Sequence, residues 1–168
     1  MTISMYDICV PVFSARLKAL SNVLSLAEQN ATERKIDPHV FLTARLAPDM
    51  FALIRQVQIA TDHAKGAPSR LAGREVPKYE DNEANFPDLQ ARIAKTLDHL
   101  ATFSAGDLDG SEERTIKLRL GGREVTMQGM HYLLNAAMPN FYFHITTAYD
   151  ILRHNGVPLG KQVFLGNR

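Results

Sequence analysis

Apolar residues recur every three or four positions in four long segments of the chain, the spacing that places them on one face of a helix. The first segment covers residues 6–29. Its apolar face is formed by Val10, Phe13, Leu17, Leu20, Leu24 and Ala27. The helix is predicted to begin at Tyr6. Pro11 falls in its first turns, where a missing amide donor is tolerated, which leaves a start near Val10 as the alternative.

The second helix is predicted to open at Pro48 and Asp49 and to end near Gly73. Its apolar face is formed by Met50, Ile54, Val57, Thr61, Ala64, Pro68 and Leu71. Gly66 and Pro68 interrupt this segment, and an interior proline removes one backbone hydrogen bond. We therefore expect a bend in this helix.

Two more helices are predicted over residues 86–104 and 140–155, the latter closed by Gly156. Between them the apolar period changes to two over residues 116–120 and 123–127. Gly121 and Gly122 separate these alternating runs, and tight hairpin turns need the positive φ that glycine adopts easily. The pattern indicates a small β-hairpin.

The predicted fold is therefore all-α, a four-helix bundle with a β-hairpin between its third and fourth helices. Residues 30–48 are interpreted as a loop with one short helix, and another short helix is expected over residues 129–138. The tail, residues 157–168, carries enough apolar residues to dock on the bundle. No repeat or flexible linker divides the chain, which predicts one domain over residues 1–168.

The composition excludes several classes of function but does not identify the function of the protein. Nineteen Lys and Arg balance eighteen Asp and Glu, giving a formal net charge of +1. Such a chain lacks the cationic field that holds nucleic acid or an anionic membrane surface. No apolar run reaches the length of a membrane helix, and no secretory leader is recognisable, so a cytoplasmic location is expected. Cys9 is the single cysteine, which excludes an internal disulfide.

Asn140 and His144 form the best-spaced polar pair, one helical turn apart beside the apolar face of the fourth helix. Both side chains could enter the bundle from its edge. Imidazole is a good ligand for zinc or nickel, and an amide is a poorer one. The alternative is that Asn140 caps the helix and His144 is a hydrogen-bonded core residue.

His63 lies more than 90° from the centre of the apolar face of the second helix. Its own face is small and polar and could border a pocket or a second subunit. That face carries Ala52, Gln56, Ile59, Gly66 and Arg70. Tyr142 and Tyr149, seven residues apart, form a second apolar stripe on the fourth helix. Either the tail or a second copy of the chain should cover this stripe, which makes a homodimer the favoured prediction.

Four segments resemble a bacterial family of unknown function in the DinB/YfiT-like superfamily. They are QVQIATDHAK at 56–65, RLAG at 70–73, PNFYFH at 139–144 and YDILRHNG at 149–156. The resemblance implies a four-helix bundle, often a homodimer. It also implies a divalent metal such as zinc or nickel, held by one histidine of the second helix and a His-x-x-x-His pair of the last. Better-understood relatives include thiol-dependent transferases and isomerases.

Aligned on the Leu-Arg-x-x-Gly ending of the fourth helix, His144 takes the place of the second histidine of that pair and Asn140 the first. The ligand of the second helix falls within residues 56–59, about one turn before His63. The candidate ligand pocket between the second and fourth helices is lined by Gln56, His63, Asn140, His144 and Tyr149.

Three functions stay open at this point. The first is a degenerate metal- or thiol-dependent enzyme of the transferase type. The second is a small-molecule-binding protein without catalysis, and the third is a dimeric scaffold. The sequence does not decide whether the chain is an enzyme.

Overall fold

The computed structural model describes residues 3–166, the side chain of residue 120 excepted. Four long helices, α1, α3, α4 and α7, form a bundle, and shorter elements cover its ends. The helices are α1 Met5–Glu33, α2 Pro38–Thr43, α3 Leu53–Leu71, α4 Phe86–Leu100, α5 Ala105–Leu108, α6 Gly129–Tyr132, α7 Met138–His154 and α8 Lys161–Leu165. The strands are β1 Thr115–Leu120 and β2 Arg123–Gln128.

The bundle is built around α3, which packs against α7 on one side and α4 on the other, while α1 closes the ring. Large apolar side chains from all four helices fill the centre, where the Phe13 and Phe141 rings meet edge to face with centroids 4.8 Å apart. The predicted all-α bundle with a hairpin between its third and fourth long helices is thus confirmed. In the described part of the chain, no helix combines the length and apolarity needed to cross a bilayer.

The first helix begins at Met5, one residue before the predicted Tyr6, so the alternative start near Val10 was wrong. Ser4 caps the helix by accepting a hydrogen bond from the Asp7 backbone nitrogen at 3.2 Å. The Asp109 carboxylate accepts from the Ser4 hydroxyl at 2.8 Å and from the Tyr6 backbone at 3.1 Å. This distant anchor holds an extra turn ahead of Pro11.

The second long helix, α3, starts at Leu53 instead of Pro48, which also corrects the sequence prediction. Residues 47–50 form a turn in which the Met50 backbone nitrogen donates to Ala47 at 3.0 Å, and Arg45 donates to the Met50 carbonyl oxygen. The helix then runs without a break through Gly66 and Pro68. The third long helix, α4, ends at Leu100, four residues before the predicted end, and a separate short helix α5 follows.

The hairpin has the predicted turn. Leu120 pairs with Arg123, and Gly121 and Gly122 between them have φ values of 55° and 80°. Positive φ at both turn residues allows the strands to twist together without splaying. The buried Ile116 anchors β1 to the bundle, which brings Leu118 and Arg119 of the same strand toward α3.

A π-helical turn, Leu133–Ala137, joins α6 to α7, so the predicted short helix and the last helix form one helical rod. Pro139 lacks an amide hydrogen and would crowd a regular turn. The wider turn relieves this conflict, and the Met138 nitrogen donates to the Leu133 carbonyl five residues back. As a result Ala136 and Ala137 lie at the junction of the rod with α3.

The C-terminal tail docks on α1 and α7, as expected as far as Gly166; residues 167 and 168 lie outside the described residues. Arg16 donates to the carbonyl oxygens of Phe164 and Leu165 at 3.1 and 2.8 Å. Phe164 also packs edge to face on Tyr149, with centroids 5.6 Å apart. Two turns earlier on α7, Tyr142 is 36% exposed, so the tail covers only part of the stripe that Tyr142 and Tyr149 form. Homodimerisation stays a prediction.

Candidate functional site

Three polar side chains follow one line along α3, because Gln56, His63 and Arg70 are spaced by seven residues, close to two helical turns. Gln56 is buried, whereas His63 and Arg70 are partly exposed. The line faces α7 at its Gln56 end and the hairpin at its Arg70 end. The candidate site is therefore built on a rigid helix, with its other walls supplied by distant parts of the chain.

Gln56 and His144 form the buried end of the site. The Gln56 Nε2 donates to the Phe51 carbonyl oxygen at 3.0 Å, which fixes the orientation of the amide. The Gln56 Oε1 therefore faces His144 Nδ1, at 2.7 Å. Since a carbonyl oxygen only accepts, His144 carries its proton on Nδ1. This bond satisfies two buried polar groups and ties α7 to α3.

The His63 ring stacks on the His144 ring, with centroids 6.1 Å apart and planes inclined by 15°. Burial lowers the pKa of His63 from 6.5 to about 4, and the nearby His144 and Arg70 act in the same direction. Burial also lowers the pKa of His144, assisted by the positive charge of Arg55. Both imidazoles are thus uncharged at neutral pH.

His63 also lines a cavity of about 120 Å³, which we call the arginine cavity. Helix α3, strand β1 and the rod formed by α6 and the π-helical turn each contribute to its wall. The wall is formed by Asp62, His63, Arg70, Leu118, Arg119, Tyr132, Ala136 and Ala137. Polar groups that can bind a ligand therefore share this space with a short apolar surface.

Arg70 presents a partly buried guanidinium to the cavity. A methyl group at Gly66, one turn earlier on α3, would overlap this guanidinium, so the glycine leaves it room along the helix. The Arg70 Nη1 donates to the Tyr132 hydroxyl oxygen at 3.2 Å. Within residues 3–166 no carboxylate forms an ion pair with Arg70. Its charge is therefore free to bind an anion.

Tyr132 adds a second donor at the same place. Its side chain is 1% exposed, and burial raises the pKa of its phenol, which keeps the hydroxyl protonated at neutral pH. The hydroxyl oxygen accepts from Arg70, and no acceptor among the described residues takes the hydroxyl proton. A buried donor without an acceptor is costly, so an oxygen of a bound ligand would satisfy it.

Asn140 and Tyr149, the other predicted pocket residues, lie apart from this cavity. The Asn140 Nδ2 donates to the Ala136 carbonyl oxygen of the π-helical turn at 2.6 Å. Tyr149 contacts the tail, and its hydroxyl donates to the Leu159 carbonyl oxygen at 3.4 Å. Of the five predicted residues, the structure brings Gln56, His63 and His144 together, and only His63 lines the arginine cavity.

The residues at this place do not fit the transition-metal site that the resemblance implies. The Gln56 Oε1 is at hydrogen-bonding distance from His144 Nδ1, so Gln56 and this nitrogen hold no ion between them, and the ring could bind one only through Nε2. Asn140 directs its amide nitrogen to a backbone carbonyl. Across residues 3–166, no three His, Cys, Asp or Glu side chains gather as a metal-binding group. Catalytic zinc sites commonly use three protein ligands, one more than the two stacked imidazoles provide.

Cys9 is not a candidate nucleophile. It is 0% exposed in the bundle core, and burial raises the pKa of its thiol to about 12. A thiol of this kind carries almost no thiolate at neutral pH.

Arg119, Tyr132 and the alanines of the π-helical turn were not among the predicted pocket residues. Arg70 was noted only as a neighbour of His63 on one helical face, and that spacing was the available signal. No local pattern reveals that the hairpin and residues 129–137 close over α3 at this point. Tyr132 in particular lies 62 residues from the arginine that it contacts.

Comparison with known proteins places this geometry in context. The model of a domain of unknown function, DUF1993, matches residues 5–165. Among solved structures, the chain is similar to a DinB family member protein from Shewanella denitrificans, with a TM-score of 0.88 and 43% sequence identity. That match covers 97% of this chain and 92% of the other. A comparison with curated proteins found no match.

Proposed function

Because the chain belongs to the DUF1993 family of DinB-like helical proteins, we propose that it binds a small anionic molecule in the arginine cavity. The observation that carries this proposal is Arg70, a partly buried guanidinium that lacks a carboxylate partner among the described residues. Hydrogen bonds between arginine and an anion are charge-assisted, and the planar guanidinium can bind two oxygens at once. No transition metal takes part in this binding.

The surrounding groups favour an anion over a cation or a neutral ligand. Arg119 adds a second positive charge on the exposed side of the cavity, and Tyr132 offers a hydroxyl proton. Asp62, the one acidic residue of the wall, already forms ion pairs with Lys65 and Arg92. The positive charge that a ligand meets therefore exceeds the negative charge.

The second candidate function is that of a thiol-dependent transferase, because the DinB/YfiT-like superfamily that the sequence resembles includes such enzymes. The observation in its favour is the uncharged His63 imidazole, which lines the cavity and has no hydrogen-bond partner among the described residues. A pKa of about 4 makes this imidazole a weak base, whereas an efficient general base has a pKa near the working pH. The geometry thus supports binding better than proton transfer.

Isothermal titration calorimetry with acetate and with inorganic phosphate tests the proposal on the full chain. We expect saturable binding, weakened about 10- to 100-fold by Arg70→Gln because charge-assisted hydrogen bonds are lost. Arg153→Gln, an exposed arginine at the end of α7, is the matched control and should leave binding unchanged. Equal affinities for the parent and Arg70→Gln would contradict the proposal.

Elemental analysis by mass spectrometry of untagged protein tests the absence of a resident metal. We expect less than stoichiometric zinc and nickel, and anion binding that a chelator does not change. One metal ion per chain that is lost in His144→Ala would overturn this part of the proposal.

A further inference from the structure

We propose that the ligand of the arginine cavity is a short-chain monocarboxylate, an acid with a body of a few carbon atoms. This inference rests on the proposed anion binding and specifies its ligand class. Three features of the cavity carry it: its small size, the presence of both hydrogen-bond donors and apolar side chains in its wall, and the partly buried charge of Arg70.

The size of the cavity favours a small ligand. Its volume is about 120 Å³, and part of it is open to solvent. A carboxylate with a chain of about three to five carbon atoms would fill it.

Different residues of the cavity wall supply the hydrogen-bond donors and the apolar surface. Arg70 and Tyr132 are joined by a hydrogen bond and so act on the same part of a ligand. Leu118, Ala136 and Ala137 offer no polar side-chain atom. An inorganic anion would use the donors and leave the apolar surface in contact with water. A carboxylate with a short aliphatic body uses both.

The partly buried charge of the cavity wall favours one negative charge over two. Asp62 is already paired with Lys65 and Arg92, and of the two arginines in the wall Arg70 is partly buried while Arg119 is exposed, so one negative charge is enough to pair with the buried side of the wall. A planar carboxylate also matches the planar guanidinium of Arg70, which can bind its two oxygens side by side. The uncharged His63 imidazole cannot form an ion pair with the ligand. We therefore expect it to contact the carbon chain of the ligand instead of its carboxylate.

A chain-length series tests this inference with acetate, propionate, butyrate, hexanoate and octanoate, and with inorganic phosphate for comparison. Isothermal titration calorimetry on the full chain gives each dissociation constant. We expect the affinity to rise about fourfold per added methylene group as far as butyrate, the factor that corresponds to ~0.8 kcal/mol of apolar burial. It should then fall for hexanoate and octanoate, whose chains exceed the cavity.

Two variants should shift the preferred chain length of the acid in opposite directions. Leu118→Ala removes apolar volume from the cavity wall and should shift the preferred acid to a longer chain. Ala136→Val adds volume to the wall and should shift it to a shorter one. Ala94→Val, at an exposed position on α4, is the matched control and should leave the series unchanged. Should Ala136→Val fail to fold, the shift in Leu118→Ala still decides the question.

The outcomes separate this inference from the proposed function. Phosphate that binds more tightly than butyrate, with no dependence on chain length, would overturn the monocarboxylate but leave anion binding intact. An optimum near butyrate that Leu118→Ala leaves in place would also overturn it. If no anion binds, the proposed function itself fails.

Discussion

Arg70 of α3 and Arg92, which packs on α3 from α4, differ in how their charges are satisfied. Arg92 of α4 has a side chain only 2% exposed, and it forms ion pairs with Asp62, Asp81 and Glu83 at 3.0, 3.1 and 2.9 Å. Arg70 is partly exposed, and its one hydrogen bond among the described residues goes to the neutral Tyr132 hydroxyl.

The difference separates a structural charge from one available to a ligand. Arg92 also donates to the Thr61 hydroxyl at 2.7 Å and to the Glu80 carbonyl oxygen at 3.0 Å. It thereby ties the irregular segment 74–85 to both α3 and α4. A buried cation with so many partners has no capacity for a ligand, whereas Arg70 has donors to spare.

The largest effect is expected from Arg92→Met. Removal of the cation leaves three carboxylates without their shared partner, which should lower the free energy of unfolding by about 3–5 kcal/mol. Urea denaturation monitored by circular dichroism measures this change. Arg55→Met removes another partner of Asp81, but that pair is exposed and should cost less than about 1 kcal/mol. Equal losses in the two variants would contradict the structural role of Arg92.

The pH dependence of stability should come next in size. The pKa of His63 is 6.5 in an ordinary setting and about 4 in the fold, so the unfolded chain takes up the proton first as the pH falls. The contribution of His63 to the free energy of unfolding is therefore fully present above pH 6.5. As the pH falls from 6.5 to 4, this free energy decreases by up to about 3 kcal/mol.

Thermal and urea denaturation across this pH range measure the loss. His63→Gln should reduce the slope of stability against pH, because the titrating group is gone. The matched control is His154→Gln, which changes an exposed residue in the last turn of α7 and should keep the parent slope. An unchanged slope in His63→Gln would show that the imidazole is not held uncharged by the fold.

Gln56→Leu should destabilise the protein by about 1–3 kcal/mol, because the buried His144 Nδ1 proton loses its acceptor. Urea denaturation measures the change, and Gln29→Leu on the exposed face of α1 is the control, expected within about 0.5 kcal/mol of the parent. Adding His144→Phe to Gln56→Leu should recover part of the loss. Independent, additive effects of these two substitutions would contradict the hydrogen bond.

Gly66→Ala should change stability and ligand binding in opposite directions. Alanine in a helix interior is favoured over glycine by about 1 kcal/mol, so the melting temperature should rise. The new methyl group displaces the Arg70 guanidinium, and butyrate should bind several-fold more weakly. Unchanged butyrate affinity would mean that the position of Arg70 does not matter for binding.

Arg119→Gln should have the smallest effect. This arginine is exposed on β1, so its attraction for an anion is screened by water and salt. Calorimetry should show butyrate binding weakened about two- to fivefold at low salt, and less at high salt. A loss as large as that of Arg70→Gln would assign the main role to the hairpin instead of α3.

The sequence predicts the architecture well because the signals for it are local. Helical periodicity identifies the four long helices, and Gly121 with Gly122 identifies the hairpin turn. The sequence left the start of α1 open between Tyr6 and Val10, because the residue that anchors the first turn, Asp109, lies more than a hundred residues away. The late start of α3 was missed because proline followed by an acidic residue also suits a turn.

The site was harder to predict, since its walls come from segments that no periodicity connects. The face of α3 that carries His63 and Arg70 could be identified from helical spacing. The contact between Gln56 and His144 spans 88 residues, and the contact between Arg70 and Tyr132 spans 62. Such contacts follow from tertiary packing and leave no trace in a local pattern.

The most direct test of the distinction between the two arginines is a nuclear magnetic resonance titration of arginine Nε–Hε groups with butyrate. Arg70→Lys and Arg92→Lys spectra assign the two resonances. The account predicts that the Arg70 signal shifts saturably as butyrate is added, while the Arg92 signal stays in place. Signals that both stay in place, or an Arg92 signal that moves while Arg70 does not, would contradict it.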